Sequence, residues 1–191
     1  MMQLKRMAVY CGSSAGTDEI YSQEAYRLGM IMAQRKIGLV FGGGKVGLMN
    51  SVANGVLDHG GEVTGVLPKF LDRVELAHEK LTEMVVVSTM HERKYRMYEL
   101  SNGIIALPGG YGTLDELFEM LTWEQLGLHK KPVGILNTNG FYDSLLEFLH
   151  SMVCKGFLKK EYEDILLVSK NVPGLLELME NFQPPSVGKW I

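Results

Sequence analysis

Two short stretches of this chain hold side chains that could do chemistry together. One is PGGYGTLDE, residues 108–116, where three glycines, a threonine and two acids follow an apolar run. The other is STMHERKYRM, residues 88–97, which carries Arg93 and Lys94 side by side. Glycines let backbone N–H groups approach an anion, and a helix N-terminus adds free N–H groups and a favourable dipole. A phosphate site with a carboxylate beside it is therefore one reading of the first stretch. A glycine turn capped by Thr113 is the other, because Thr113 and Glu116 spell the T-x-x-E capping box. Thr89 and Glu92 spell a second box, which starts a helix near Met90. Arg93 and Lys94 then fall in its first turn, where cations oppose the dipole. Acids elsewhere, a bound anion or plain solvation must balance them.

A third stretch, GGGKVG at 42–47, satisfies G-x-G-x-x-G. The dinucleotide fingerprint also needs an acid about 20 residues on, at the end of the next strand. That strand ends in Pro68, so the acid is missing. A Walker-A loop fails as well, because Gly47 is followed by Leu48 rather than Lys. A glycine loop touching another phosphate or sugar, or a tight structural turn, is left. The five histidines lack metal-ligand spacing, and no G-x-S-x-G elbow is present. His59, His129 and His150 read as structural or surface residues, while His78 and His91 lie near strand ends and stay open.

The elements that must position these residues are legible as alternation. Apolar runs at 6–12, 38–44, 62–68, 84–89, 103–110, 132–137 and 164–169 are mostly continuous, as in strands buried on both faces of a parallel sheet. Helical patterns fall at 19–36, 46–59, 90–102, 113–127, 141–155 and 173–181. The expected fold is α/β: a Rossmann-like, doubly wound, mainly parallel sheet flanked by helices on both faces, in a single domain over 1–191. In such sheets ligands sit outside the carboxyl ends of the strands. Ser13, Gly43, Gly44 and Gly109 stand at those ends and are candidates for a phosphate or sugar loop.

Composition sets outer bounds. The 191 residues are 46% hydrophobic and 21% charged, with net charge −3. That is ordinary for a globular chain and gives no bulk attraction to nucleic acid or an anionic membrane. No run approaches the roughly 20 apolar residues of a membrane span, so a cytoplasmic protein is expected. Cys11 and Cys154 form no metal motif and read as two buried thiols.

PGGYGTLDE together with MHERKYRM resembles the pattern P-G-G-x-G-T-x-x-E plus M-H-x-R-K-x-x-M of the Lonely Guy family, the cytokinin riboside 5′-monophosphate phosphoribohydrolases. CGSS, FGGGKVGLM, ELAH at 75–78 and TWEQLGLHKKPVGILN at 122–137 extend the likeness over almost the whole chain. The resemblance implies a homodimer with nucleotide sites near its interface. It implies hydrolysis of AMP and N6-modified AMP to free base and ribose 5-phosphate, with no metal or organic cofactor. Arg93 and Glu116 would be the catalytic pair. Glu75, Lys94, Gly110, Tyr111, Gly112, Thr113, Leu114, Asp115 and Thr122 would bind substrate.

The chemistry fits the residue types. Cleavage of an N-glycosidic bond builds positive charge on the ribose, which a carboxylate stabilises while it activates water. A helix turn rises about 5.4 Å, so a phosphate at the helix N-terminus could leave its ribose beside Glu116. The dipole favours an ionised first-turn carboxylate, suited to a base rather than to the acid that protonates the leaving purine. Arg93 would hold phosphate or ribose oxygens. The runner-up is a non-catalytic nucleotide-binding or carrier module on the same fold. A pyridoxal-phosphate lysine decarboxylase, a label many such sequences have carried, would need a Schiff-base lysine, for which only Lys45 and Lys94 stand near the loops. An N6 substituent would need apolar walls, which Tyr95, Met97 and Tyr98 could supply if they are not core.

Overall fold

A computed structural model describes residues 3–71, 78 and 80–184. The first half runs β1 (Arg6–Tyr10), α1 (Glu19–Gln34), β2 (Gly38–Phe41), α2 (Gly47–Leu57), β3 (Val63–Pro68), β4 (Glu83–Val87) and α3 (Met90–Leu100). The second runs β5 (Gly103–Ala106), α4 (Tyr111–Gln125), β6 (Val133–Leu136), α5 (Asp143–Cys154), the short α6 (Lys160–Glu163), β7 (Leu166–Ser169) and α7 (Val172–Glu180). Strands form where β-branched and aliphatic residues run together, and each amphipathic segment between them supplies a helix.

The seven strands make one sheet in the order β4-β3-β2-β1-β5-β6-β7, and every pairing is parallel. Alternation along each strand feeds two cores. Met7 and Val9 of β1 face one core with Leu28, Val52 and Leu175 of α1, α2 and α7. Ala8 and Tyr10 face the other with Met97, Leu117 and Leu149 of α3, α4 and α5. Burying each such side chain contributes roughly 1.5–3 kcal/mol.

From β1 the chain winds outward through β2 and β3 to β4, then returns across the sheet through α3 to β5. The order therefore reverses between β1 and β5, the switch point where doubly wound sheets open a crevice. The register brings Tyr10 beside Ala106. Leu107 N–H then donates to Tyr10 O at 2.9 Å, and Gly12 N–H donates to Pro108 O at 3.0 Å. CGSS and PGG thus leave the sheet side by side.

Three expectations need correction. β4 is not buried on both faces: it is an edge strand, paired on one side only, and Val86 is 52% exposed. Cys154 is an exposed free thiol at the end of α5, and only Cys11 is partly buried. The helix drawn from Thr113 starts earlier. Gly110 is the N-cap of α4, and Leu114 N–H closes the first turn on Gly110 O at 3.1 Å. Thr113 is the third helical residue and Glu116 lies in the second turn.

Candidate active site

The second T-x-x-E behaves as its spelling predicts. Thr89 caps α3, its hydroxyl accepting from Glu92 N–H at 3.1 Å, and Glu92 Oε2 accepts from Ser88 N–H at 2.6 Å. The first does not. No side chain caps α4, so N–H groups of its first turn are left to other acceptors. They line a cavity of about 260 Å³ with Cys11, Gly12 and Ser13 from the β1 loop, Met49 from α2, Arg93 from α3 and Glu116 from α4.

Arg93 enters from behind. Its Nε donates to Val66 O and its Nη2 to Gly42 O, each at 3.2 Å, which anchors the guanidinium to β3 and to the residue that follows β2. A Cβ at position 42 would run into that guanidinium. The first glycine of GGGKVG therefore makes room for an arginine. Gly43, at φ +79°, and Gly44 are buried and do not line the cavity, while Ser13 does. Gly109 packs against Thr113 and the Gly12 backbone. Gly110 and Gly112 differ: a Cβ on either would meet nothing within 4 Å. No contact among the described residues requires glycine at those two positions, whereas close approach of a ligand to the backbone would.

Glu116 Oε1 lies 3.7 Å from Arg93 Nη1, and both residues are 8% exposed. Burial pushes the Glu116 carboxyl up to about 7. Arg93 and Lys94 pull it down, and Asp115 and Glu119 push it up. At 3.7 Å the guanidinium does not offset the lost solvation. The dipole argument for a fully ionised first-turn acid thus fails, because Glu116 is one turn further in and out of water. Burial also pushes the Cys11 thiol up, so it lines the cavity as a neutral group.

The other predicted residues divide clearly. Gly110, Tyr111, Gly112, Thr113, Glu116 and Arg93 come together at the cavity. Lys94 and Asp115 do not line it: Lys94 Nζ bonds the exposed Asp115 Oδ2 at 3.0 Å. Leu114 packs on the core. Thr122 donates to Phe118 O at 2.7 Å and lines a separate groove with α5 and α6. Glu75 lies outside the described residues. Met97 is core, Tyr98 stacks edge-on to Trp123 at 5.3 Å, and Tyr95 is exposed, so none of the three walls this cavity. His59, His129 and His150 bond Gly55 O, Met120 O and Glu163, as structural or surface residues do. His78 is tied to Asn54 and the Gly43 backbone, and His91 is exposed. Cys11, Gly12 and Met49 were missed as lining. CGSS at a strand end was the available signal, but only the strand order puts it beside PGG.

An adjoining apolar cavity of about 290 Å³ shares Gly12, Ser13 and Gly110 with the first and is walled by Tyr21, Leu48, Pro108 and Phe141.

Fold and cavity together define a doubly wound α/β protein with a buried acid–guanidinium pair at its switch point. Comparison with known proteins narrows the class. The family model described as "Possible lysine decarboxylase" matches residues 49–179. Cytokinin riboside 5′-monophosphate phosphoribohydrolase LOG2 of Arabidopsis thaliana is 46% identical over 95% of this chain and 85% of its own length. The rice protein of that name, LOG, is 44% identical over 95% and 75%. The chain belongs to this Lonely Guy family. Among solved structures, the molybdenum cofactor carrier protein of Chlamydomonas reinhardtii superposes with a TM-score of 0.70 at 23% identity, covering 92% of this chain and 95% of the other. The molybdenum cofactor binding protein of Rippkaea orientalis also gives 0.70, at 21% identity over 93% and 96%. At such identities the likeness is one of fold.

Proposed function

We propose that this chain, as a single domain, hydrolyses the N-glycosidic bond of purine nucleoside 5′-monophosphates, AMP and N6-modified AMP. The observation that carries the reading is the Arg93–Glu116 pair, buried at the switch point beside the uncapped N-terminus of α4. The names of the relatives above support the substrate class. The 5′-phosphate binds the first-turn N–H groups of α4 at Gly110, Tyr111, Gly112 and Thr113. Arg93 orients phosphate or ribose oxygens with its free N–H groups. The C1′–N9 bond breaks with its electron pair leaving on the purine. The ionised Glu116 stabilises the developing cation and takes a proton from the water that adds to C1′. That proton, passed on from Glu116, ends on the base, giving free purine and ribose 5-phosphate and restoring the ionised Glu116. A carboxylate that titrates near 7 accepts a proton from water much more readily than an ordinary one.

The decarboxylase description finds no support here. A Schiff base needs a lysine at the cavity, and among the described residues none of its lining is lysine. A carrier module would need no carboxylate near a dianion, whereas hydrolysis uses one. A homodimer and a cytoplasmic location belong to the same proposal. Tyr111, 94% exposed at the cavity rim, suits cover by substrate or a second subunit. No helix among the described residues is long and apolar enough to cross a membrane. Incubation with AMP and N6-isopentenyl-AMP, followed by chromatography, tests the activity. Release of free base with equimolar ribose 5-phosphate is expected, and binding without release would mean a carrier.

A further inference from the structure

Arg93 and Lys94 are neighbours on α3 but face different carboxylates of α4. Arg93 meets Glu116, whereas Lys94 Nζ lies 3.0 Å from Asp115 and 3.2 Å from Glu119. Asp115 and Glu119 are four residues apart and so share one helix face, one above the other. The Lys94 ammonium bridges them with its side chain only 9% exposed. It is outside the cavity lining, so its charge is directed at the helix and not at the ligand space.

The two carboxylates are not equal. Asp115 is 64% exposed, so water and salt weaken its hold on Lys94. Glu119 is 23% exposed, and its second oxygen is buried with no hydrogen-bond partner among the described residues. Arg93 is already fixed by two backbone carbonyls, of Val66 in β3 and Gly42 after β2. What sets the Arg93–Glu116 distance is then the placement of α4, and the Lys94–Glu119 pair is the better-shielded tie that fixes it. We infer that Glu119 is a positioning residue for the Arg93–Glu116 pair, acting through Lys94 to hold α4 in register against α3. The inference rests on the proposed role of Glu116 as the reacting carboxylate.

The tie is also a charge device. Asp115 and, less strongly, Glu119 oppose ionisation of Glu116, and Lys94 favours it. Removing an acid and removing Lys94 must move the Glu116 titration in opposite directions, which loosened packing alone would not do. The test compares wild type with Glu119→Gln, Lys94→Met and Asp115→Asn. With AMP as substrate, Glu119→Gln should lower kcat by roughly 10-fold, the cost of a sub-ångström displacement, with KM within about 2-fold. Its pH–rate midpoint should fall. Lys94→Met should lower kcat similarly and raise the midpoint. Asp115→Asn should also lower the midpoint, but with a smaller loss of kcat than Glu119→Gln. Lys94→Met that raises KM with kcat and midpoint unchanged would make Lys94 a direct substrate ligand and overturn the inference. So would Glu119→Gln with a kcat loss no greater than that of Asp115→Asn. If the wild type releases no base from any monophosphate, the hydrolase reading fails separately. Carbon NMR titration of the Glu116 carboxyl in the same variants then decides, and midpoints that do not move in opposite directions overturn the tie.

Discussion

The chain spells T-x-x-E twice and uses it in two ways. At Thr89–Glu92 the threonine caps α3 and the glutamate closes the turn on the backbone before it. At Thr113–Glu116 the helix has already begun at Tyr111, and neither side chain caps anything. The difference lies upstream. Ser88 precedes one box, whereas Pro108-Gly109-Gly110 precedes the other. Gly109 packs against the Gly12 loop, and Gly110 takes the N-cap place with no side chain. Starting three residues before the box would place it, the helix turns Thr113 inward and carries Glu116 into a buried second turn. A local capping code holds only while local contacts decide where the helix starts.

The sharpest way to break this comparison is to make the same substitution in both boxes. Glu116→Gln should cut AMP hydrolysis on the order of 10³-fold, the usual scale for a positioned acid–base group. Glu92→Gln should leave turnover per folded molecule unchanged. Equal losses in the two variants, read by single-turnover release of adenine, would remove the distinction.

A second expectation concerns pH. The folded Glu116 titrates near 7 against the usual 4.5, so the native state holds a proton that the unfolded chain has lost between those values. The stability due to this group is fully present below pH 4.5 and is lost as pH rises through 7, a change of up to roughly 3 kcal/mol. Glu116→Gln removes that slope. The variant should be inactive and melt a few degrees higher than wild type at pH 8, with the difference vanishing near pH 4. In the wild type, kcat/KM should rise with pH through a midpoint near 7, because the ionised form reacts. A flat profile from pH 6 to 8 would disconnect Glu116 from the chemistry.

A smaller effect separates the two kinds of glycine at the site. Gly112→Ala meets open space within the chain and improves helix propensity by up to about 1 kcal/mol. It should raise the melting temperature while weakening AMP binding roughly 10-fold, since its methyl enters the space proposed for the phosphate. Gly42→Ala, by contrast, should lose both stability and activity by displacing Arg93. Calorimetry alongside a binding titration distinguishes them.

Much of this was legible in the sequence. Seven apolar runs became seven strands, and each expected helix was found with ends moved by about two residues. The two motifs that carry Arg93 and Glu116 were found, and they meet in one cavity. What could not be read depends on contacts between distant segments. Edge placement of β4 needs the strand order. The glycine at 42 reads as a phosphate loop until Arg93, 51 residues away, is seen against it. Arg93 and Lys94 demanded counter-charges, but which acids would supply them depends on how α3 crosses α4. The titration of Glu116 depends on burial, and a motif does not encode depth.

The smallest prediction concerns the box that does cap. Thr89→Ala removes the acceptor for Glu92 N–H and should cost about 1 kcal/mol of stability. Arg93 closes the first turn of α3, its N–H donating to Thr89 O at 3.0 Å, so fraying at Thr89 loosens its backbone directly. The carbonyls of Val66 and Gly42 hold the guanidinium independently of that cap. Turnover per folded molecule should therefore stay within about 2-fold at 25 °C, since the guanidinium keeps both of its own anchors. Denaturant titration gives the first number and initial rates the second. A stability loss that carries a proportional loss in kcat would mean that the cap of α3, and not only its carbonyl anchors, holds Arg93 in place.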